Sequence, residues 1–413
     1  MKLKHIHYGW VMVAIFFGVL VTYGLTMFSF GIFLKPITME FDWDRGALSG
    51  ALSLSIVVGG GIGILSGRLT DRYGPRPIIT IGVLLTGAAF FLMSQIRALW
   101  HVYLIMGILR GIGTSFSLIP VTAIIPRWFT KRRGIAMGIA MSGMGLGGII
   151  APLLTQWLIS AYGWRDAFII LSILTIIIII PLAQFLKHSP QQIGLKPYGE
   201  DKIIEDKQSQ SSAMDGLSLR QAARTRGFWL FGLIQTGAHI CMLAIMLHIV
   251  PHATDIGITE VKAASILSFT AGIGIIGRLA LGFLSDRIGS RRVLTACLSL
   301  LTLALIWLLF AEEIWMFYVF AVLFGLANGG FTTLIPVISA ELFGLVSLGV
   351  ILGGLGIFAR LGEAIGAPLS GSIFDITGSY QLAFLTSVVI SAAAVILSLV
   401  LLRYKGRTGM ARE

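Results

Sequence analysis

The feature that most constrains this chain is a series of twelve apolar runs separated by polar gaps, most of them short. A helix rises about 1.5 Å per residue, so roughly 20 apolar residues cross the ~30 Å hydrocarbon core of a bilayer. Within that core a backbone must satisfy its own hydrogen bonds, which selects helices. The runs lie near 9–34, 46–69, 77–95, 99–125, 134–159, 166–187, 227–250, 261–284, 292–310, 314–341, 346–371 and 380–403. Only 12% of residues are charged and 56% are hydrophobic, against roughly a quarter charged in soluble domains. The fold class this predicts is an all-α membrane protein with twelve transmembrane helices.

The formal net charge of +12 does not point to nucleic acid, because the basic residues are scattered through gaps between spans and form no soluble face. They carry topology instead, since Lys- and Arg-rich loops stay in the cytoplasm. With both termini cytoplasmic, 23 of the 31 basic residues fall on that side and 5 on the other, leaving Arg110, Arg278 and Arg360 inside spans. The first apolar run is too long for a signal-peptide core and reads as a permanent span. Cys241 and Cys297 each lie within an apolar run, so neither a disulfide framework nor a metal site is expected.

The chain also repeats itself. Gly67-Arg-Leu-Thr-Asp71-Arg72-Tyr-Gly74 returns as Gly282-Phe-Leu-Ser-Asp286-Arg287-Ile-Gly289, displaced by 215 positions. Leu118-Ile-Pro120 matches Leu334-Ile-Pro336, and Ala151-Pro152 matches Ala367-Pro368, both displaced by 216. Parallel duplication of this kind marks a large class of transporters. The expected organisation is two pseudo-symmetric six-helix bundles, 1–187 and 227–413. Between them a polar cytoplasmic linker runs from 188 to 226, with a short surface helix over 217–226.

The loop Gly67-x-x-x-Asp71-Arg72-x-Gly74-x-Arg76 and its twin around Asp286 and Arg287 resemble the loop signature of the major facilitator superfamily. The resemblance implies the major facilitator fold and a conformational latch in which Asp71, Arg72, Asp286 and Arg287 cap helices or pair across them. Three further stretches are similar to the monocarboxylate transporter and oxalate:formate antiporter branch. They are Tyr8-Gly9-Trp10 opening the first span, Trp128-Phe129-Thr-Lys-Arg132-Arg133-Gly134 entering the fifth, and Gly366-Ala-Pro368 through Tyr380 closing the eleventh. The family's acidic entry motif is replaced by His5-Ile-His7, which favours a bacterial relative, placed in the cell inner membrane.

Charges inside spans are costly enough to mark function. A guanidinium matches a carboxylate bidentately and keeps its proton, so Arg278 is the natural anchor for a small organic anion. The repeat places Gly63 opposite it. The family resemblance implies an arginine in this role with an aspartate one turn earlier, where this chain has Gly274. Arg360 and Glu363, three apart, share a helix face. They either neutralise each other, or Arg360 holds a second carboxylate while Glu363 serves as the protonatable coupling group. Arg110 precedes Gly111-Ile-Gly113 and either takes part in proton transfer, as the superfamily resemblance implies, or satisfies backbone carbonyls. His248 either hydrogen-bonds substrate, takes part in proton coupling, or is a satisfied polar residue with neither role.

By the same resemblance spans 1, 4, 7 and 10 line a central cavity. Tyr23, Ser117 and Asn328 then offer polar contacts to substrate, while Phe331 and Phe358 supply an apolar wall. The function expected is secondary transport of a small monocarboxylate such as lactate or pyruvate by alternating access, with proton symport. A dicarboxylate or oxalate/formate-type antiporter is the alternative. No HExxH, Gly-x-Ser-x-Gly or phosphate-binding loop is present, so an enzyme, a cofactor and ATP-driven transport are not expected. The partners expected are the organic anion, the proton and the lipid bilayer, around a monomer.

Overall fold

A computed structural model of the chain describes residues 7–43, 45–200 and 216–404. His5, and the expected linker's acidic stretch beyond residue 200, lie outside the described residues. Among the described residues, eleven helices are long and apolar enough to cross a membrane. They are α1 (Tyr8–Phe41), α2 (Arg45–Tyr73), α3 (Pro75–Met93), α4 (Leu99–Trp128), α5 (Arg133–Gln184), α6 (Arg226–Asp255), α7 (Glu260–Ile288), α8 (Ser290–Leu308), α9 (Ile314–Phe343), α10 (Leu348–Thr377) and α11 (Gln381–Arg403).

Eleven helices supply twelve crossings because α5 is 52 residues long and broken inside. Gly163 there has φ +83° and ψ 163°, a conformation almost confined to glycine. The break falls between the fifth and sixth expected spans, and each arm is long enough to cross. In α4 a π-helical stretch, Tyr103–Leu109, gives way to regular α-helix at Arg110.

The chain divides into two compact units. The first comprises Met1–Gly216 and Leu345–Gly354, and the second comprises Leu217–Gly344 and Leu355–Glu413. In the first unit α1 packs along α5, α2 against α4, and α3 against both α4 and α5. Gly143 and Gly147 allow the closest approach, since a Cβ at either would lie 2.3 or 2.0 Å from the carbonyl oxygen of Phe17 or Val21. The second unit repeats this crossing: a Cβ at Gly362 or Gly366 would lie 2.4 or 2.3 Å from the oxygen of Thr236 or Ile240. All four pairs of positions are displaced by 219 rather than 216. In that register Arg360 and Glu363 fall opposite Met141 and Met144, so the charged pair still has no counterpart in the first unit.

Part of the expected linker packs onto the first unit. The Tyr198 N–H donates to the Trp128 carbonyl at 2.8 Å, and the Thr130 N–H donates to the Tyr198 carbonyl at 3.0 Å. The expected surface helix over 217–226 is one turn only, Leu219–Ala222. It stops because Thr225 caps the next helix, its side chain accepting the Phe228 N–H at 3.3 Å. Elsewhere Glu40 joins the end of α1 to α5, accepting from Trp164 Nε1 at 2.7 Å and Arg165 Nη2 at 2.5 Å. Those bonds hold the Glu40 carboxyl below the usual carboxylate range.

Candidate substrate-binding site

Arg278 lies in α7 where the helix crosses α9. The approach is close because Gly329 of α9 faces the Gly274 carbonyl, and a Cβ there would sit 2.2 Å from that oxygen. The Arg278 side chain is buried, at 8% exposure. Its Nε has no hydrogen-bond partner among the described residues, and no carboxylate there pairs with it. A Cβ added at Gly274 would lie 3.7 Å from Arg278 Nη1, so a side chain at 274 would point at the guanidinium. Glycine there leaves the arginine without a built-in counter-charge. A buried, unpaired guanidinium is strained enough electrostatically to demand an anion.

Asn328 lies near this crossing in α9. Its backbone carbonyl accepts from Thr332 Oγ1 at 3.0 Å, while its side-chain amide makes no hydrogen bond among the described residues. Phe331 is fully buried, and its ring meets His239 edge-on at 5.6 Å between centroids. Phe358 is placed differently. Its ring packs edge-on against Phe228 and Trp229 at 5.8 and 5.6 Å, over the gap left by Gly232, which makes it helix packing between α6 and α10.

Arg360 Nη1 donates to Glu363 Oε2 at 2.5 Å. The positive charge of Arg360 is thus met on its own helix, one turn away. His239 of α6 stands within reach of both charges, because Gly362 has no side chain in the way: a Cβ there would lie 3.0 Å from the His239 Cβ. The His239 Nδ1 lies 2.8 Å from the Gln235 carbonyl. A carbonyl only accepts, so Nδ1 carries the proton and Nε2 is the basic nitrogen. Helical spacing reveals Arg360 with Glu363, but the contact with His239 crosses helices and has no local signal. His248 is occupied elsewhere, with Nδ1 3.2 Å from the Tyr380 hydroxyl.

In the first unit Tyr23 and Ser117 line a pocket walled mostly by hydroxyl side chains of α1, α3, α4 and α5. Ser117 is buried and donates to the Gly113 carbonyl at 3.0 Å. Arg110 is buried at 5% exposure. The one hydrogen bond of its side chain among the described residues runs from Nη1 to Ser55 Oγ at 3.2 Å; no backbone carbonyl there accepts from the guanidinium.

Asp71 at the end of α2 behaves as a capping carboxylate. It accepts from Arg127 Nη2 at 2.6 Å and from the backbone N–H groups of Gly349 and Val350 at 3.2 and 3.1 Å. Those amides open α10, so the carboxylate meets the positive end of a helix dipole. Glycines again permit the contact, because a Cβ at Gly67 would sit 2.0 Å from the Gly349 carbonyl oxygen. Arg127 also reaches His188 Nε2 at 2.6 Å. Burial, and then the neighbouring Arg127 charge, push the His188 imidazole down to about 4. Neither Arg127 nor His188 stands out in the sequence.

The twin loop in the second unit is held by other bonds. Ser290 donates to the Glu341 carboxylate and Arg291 to the Tyr404 carbonyl at 2.6 Å. Arg72 and Arg287 lie over the rings of Tyr73 and Phe283, at 5.2 and 4.3 Å, while Asp286 has an interaction of its own.

The helix order, the duplicated glycine crossings and the buried arginine can be set beside known proteins. The Major Facilitator Superfamily model matches residues 15–287 and 242–410. The chain belongs to the Major Facilitator Superfamily. Within that superfamily it is 30% identical over 386 residues to monocarboxylate transporter 13 of Bos taurus, covering 92% of this chain and 86% of that protein. Monocarboxylate transporter 12 of Mus musculus is 28% identical, covering 78% of this chain and 70% of that protein. The crystal structure of the E. coli fucose:proton symporter superposes with a TM-score of 0.72 at 17% identity, over 95% of this chain and 98% of that one. That likeness concerns the fold. This superfamily member is therefore a multi-pass membrane transporter homologous to monocarboxylate transporters, and not an enzyme.

Proposed function

We propose that this protein is a secondary carrier of small monocarboxylates of the lactate or pyruvate type, working by alternating access in symport with a proton. The observation that carries the reading is Arg278, buried beside Gly274 with no anionic partner among the described residues. A short carboxylate supplies the missing charge and takes two parallel N–H···O bonds from the guanidinium. Asn328, nearby in α9, offers an amide to a hydroxyl or keto oxygen, and Phe331 an apolar contact for the alkyl part. The names of the transporters it resembles support the substrate class.

The proton, in this reading, is held at Glu363, with His239 within electrostatic range of it as a second group able to take a proton. Release of the Asp71 cap from the start of α10 accompanies the conformational change. The Lys and Arg distribution supports cytoplasmic termini, and His5-Ile-His7 in place of the acidic entry motif supports the inner membrane of a bacterium. The exchanger of dicarboxylates is disfavoured by the Arg360–Glu363 pair, which already neutralises the second arginine.

Uptake of labelled lactate into proteoliposomes, with and without an inward proton gradient, tests the reading. Gradient-stimulated uptake is expected, and Arg278→Gln should weaken lactate binding at least about a hundredfold through loss of two charge-assisted hydrogen bonds. Uptake that ignores the gradient and requires an internal counter-anion would favour exchange.

A further inference from the structure

Arg110 presents a problem that the carboxylate site does not solve. It sits in the body of α4, about 16 Å along the helix from Leu99 and about 25 Å from Arg127, at 5% exposure. An arginine keeps its proton, and a lone positive charge at such depth is expensive. Among the described residues of the first unit the carboxylates offer no relief. Glu40, Asp42, Asp166 and Glu200 lie at helix ends or beyond them, and Asp71 is bonded to Arg127.

The geometry of the guanidinium indicates what is missing. Nη1 donates to Ser55 of α2 at 3.2 Å. Nε is buried without a partner, and Nη2 makes no hydrogen bond among the described residues. The open edge is therefore Nε with Nη2, the parallel pair of donors that grips an anion side-on. Tyr23 of α1 lines a pocket together with Thr114, one turn beyond Arg110 in α4, and its hydroxyl also makes no hydrogen bond among the described residues. The π-helical stretch Tyr103–Leu109 ends at this residue, a distortion that recurs at functional positions.

We propose that the Nε–Nη2 edge of Arg110, with the Tyr23 hydroxyl, is a buried binding site for a small monovalent anion, either a halide or a short carboxylate. It lies wholly within the first unit and stands independently of the Arg278 site. The anion supplies the counter-charge that Arg110 lacks among the described residues and takes donors from α4 and α1 together.

Thermal unfolding of the purified protein in detergent tests this, with potassium gluconate replaced stepwise by potassium bromide or potassium acetate at constant ionic strength. The titrations are run on the protein itself and on Arg278→Gln, so that the proposed substrate site does not contribute. A saturable rise in midpoint is expected in both. A bromide response identifies a halide site, and a response to acetate alone identifies a carboxylate site. Arg110→Gln, which keeps a donor for Ser55, should weaken the response about tenfold or more. Tyr23→Phe, which keeps the ring, should weaken it about threefold to tenfold, and serves as the deciding variant should Arg110→Gln not fold. The absence of a saturable response to either anion in Arg278→Gln would overturn the proposal, as would a Tyr23→Phe affinity equal to that of the parent. Loss of lactate binding in Arg278→Gln with the bromide response intact separates this site from the carboxylate reading.

Discussion

At the scale of single residues, the decisive contrast is between two arginines that both lie inside spans, Arg278 buried and Arg360 half-buried. Arg360 has its counter-charge 2.5 Å away on the next turn, whereas Arg278 faces a glycine where an acid would fit. Gly274→Asp tests that difference. Its Cβ is accommodated, and the introduced carboxylate lies within reach of Arg278. Lactate affinity should fall about tenfold at about pH 8, where the new acid is ionised and competes for the guanidinium. The loss should persist at about pH 5, because an aspartate beside a guanidinium stays ionised there. Calorimetric titration across that range checks it, and affinity equal to the parent's at both values would mean that position 274 does not face the site.

At the scale of helices, the molecule depends on a few backbone positions and one polar junction. Gly163 lets one continuous run of sequence turn into two crossings. Gly163→Ala should cost about 1–3 kcal/mol, the usual penalty for a side chain in that region of backbone space. A lowered thermal midpoint in detergent is the readout, and an unchanged midpoint would count against the break. The junction of Asp71, Arg127 and His188 ties α2, α4 and the segment after α5. His188 is held neutral down to about 4, against an ordinary value near 6.5, so between those values the unfolded chain binds the extra proton and the folded one does not. Stability from this group is present above about pH 6.5 and lost as pH falls towards 4. Unfolding midpoints across that window should drop more steeply for the native protein than for His188→Gln; parallel curves would remove His188 from the junction.

At the scale of the whole molecule, proton coupling and exchange separate in one variant. Glu363→Gln keeps the hydrogen-bonding shape beside Arg360 but cannot carry a proton. Counterflow of labelled lactate, which needs no net proton movement, should continue at a rate within about threefold of the native protein. Uptake driven by a proton gradient should fall at least about tenfold. Full gradient-driven uptake in this variant would shift the proton to another group, with His239→Gln as the next variant to measure.

Much of this was legible without coordinates, because a bilayer imposes its thickness on sequence. Run length gives the crossings, the Lys and Arg bias gives an orientation to test, and the repeated Gly-x-x-x-Asp-Arg loops announce two related halves. Charges inside spans are rare, so Arg110, Arg278, Arg360 and Glu363 identify themselves. What pairs with what was not legible, since contacts between helices leave no periodicity along the chain. Helical spacing already offered the Arg360–Glu363 pair, whereas tertiary structure left Arg278 and Arg110 without a carboxylate partner among the described residues and set Asp71 on the start of α10 rather than on a neighbour in sequence. It also placed His239 within reach of Glu363 and gave Phe358 to helix packing. The cost of a charge in hydrocarbon is written in the sequence, but the partner that answers it is a matter of which side chains the fold brings within about 3 Å.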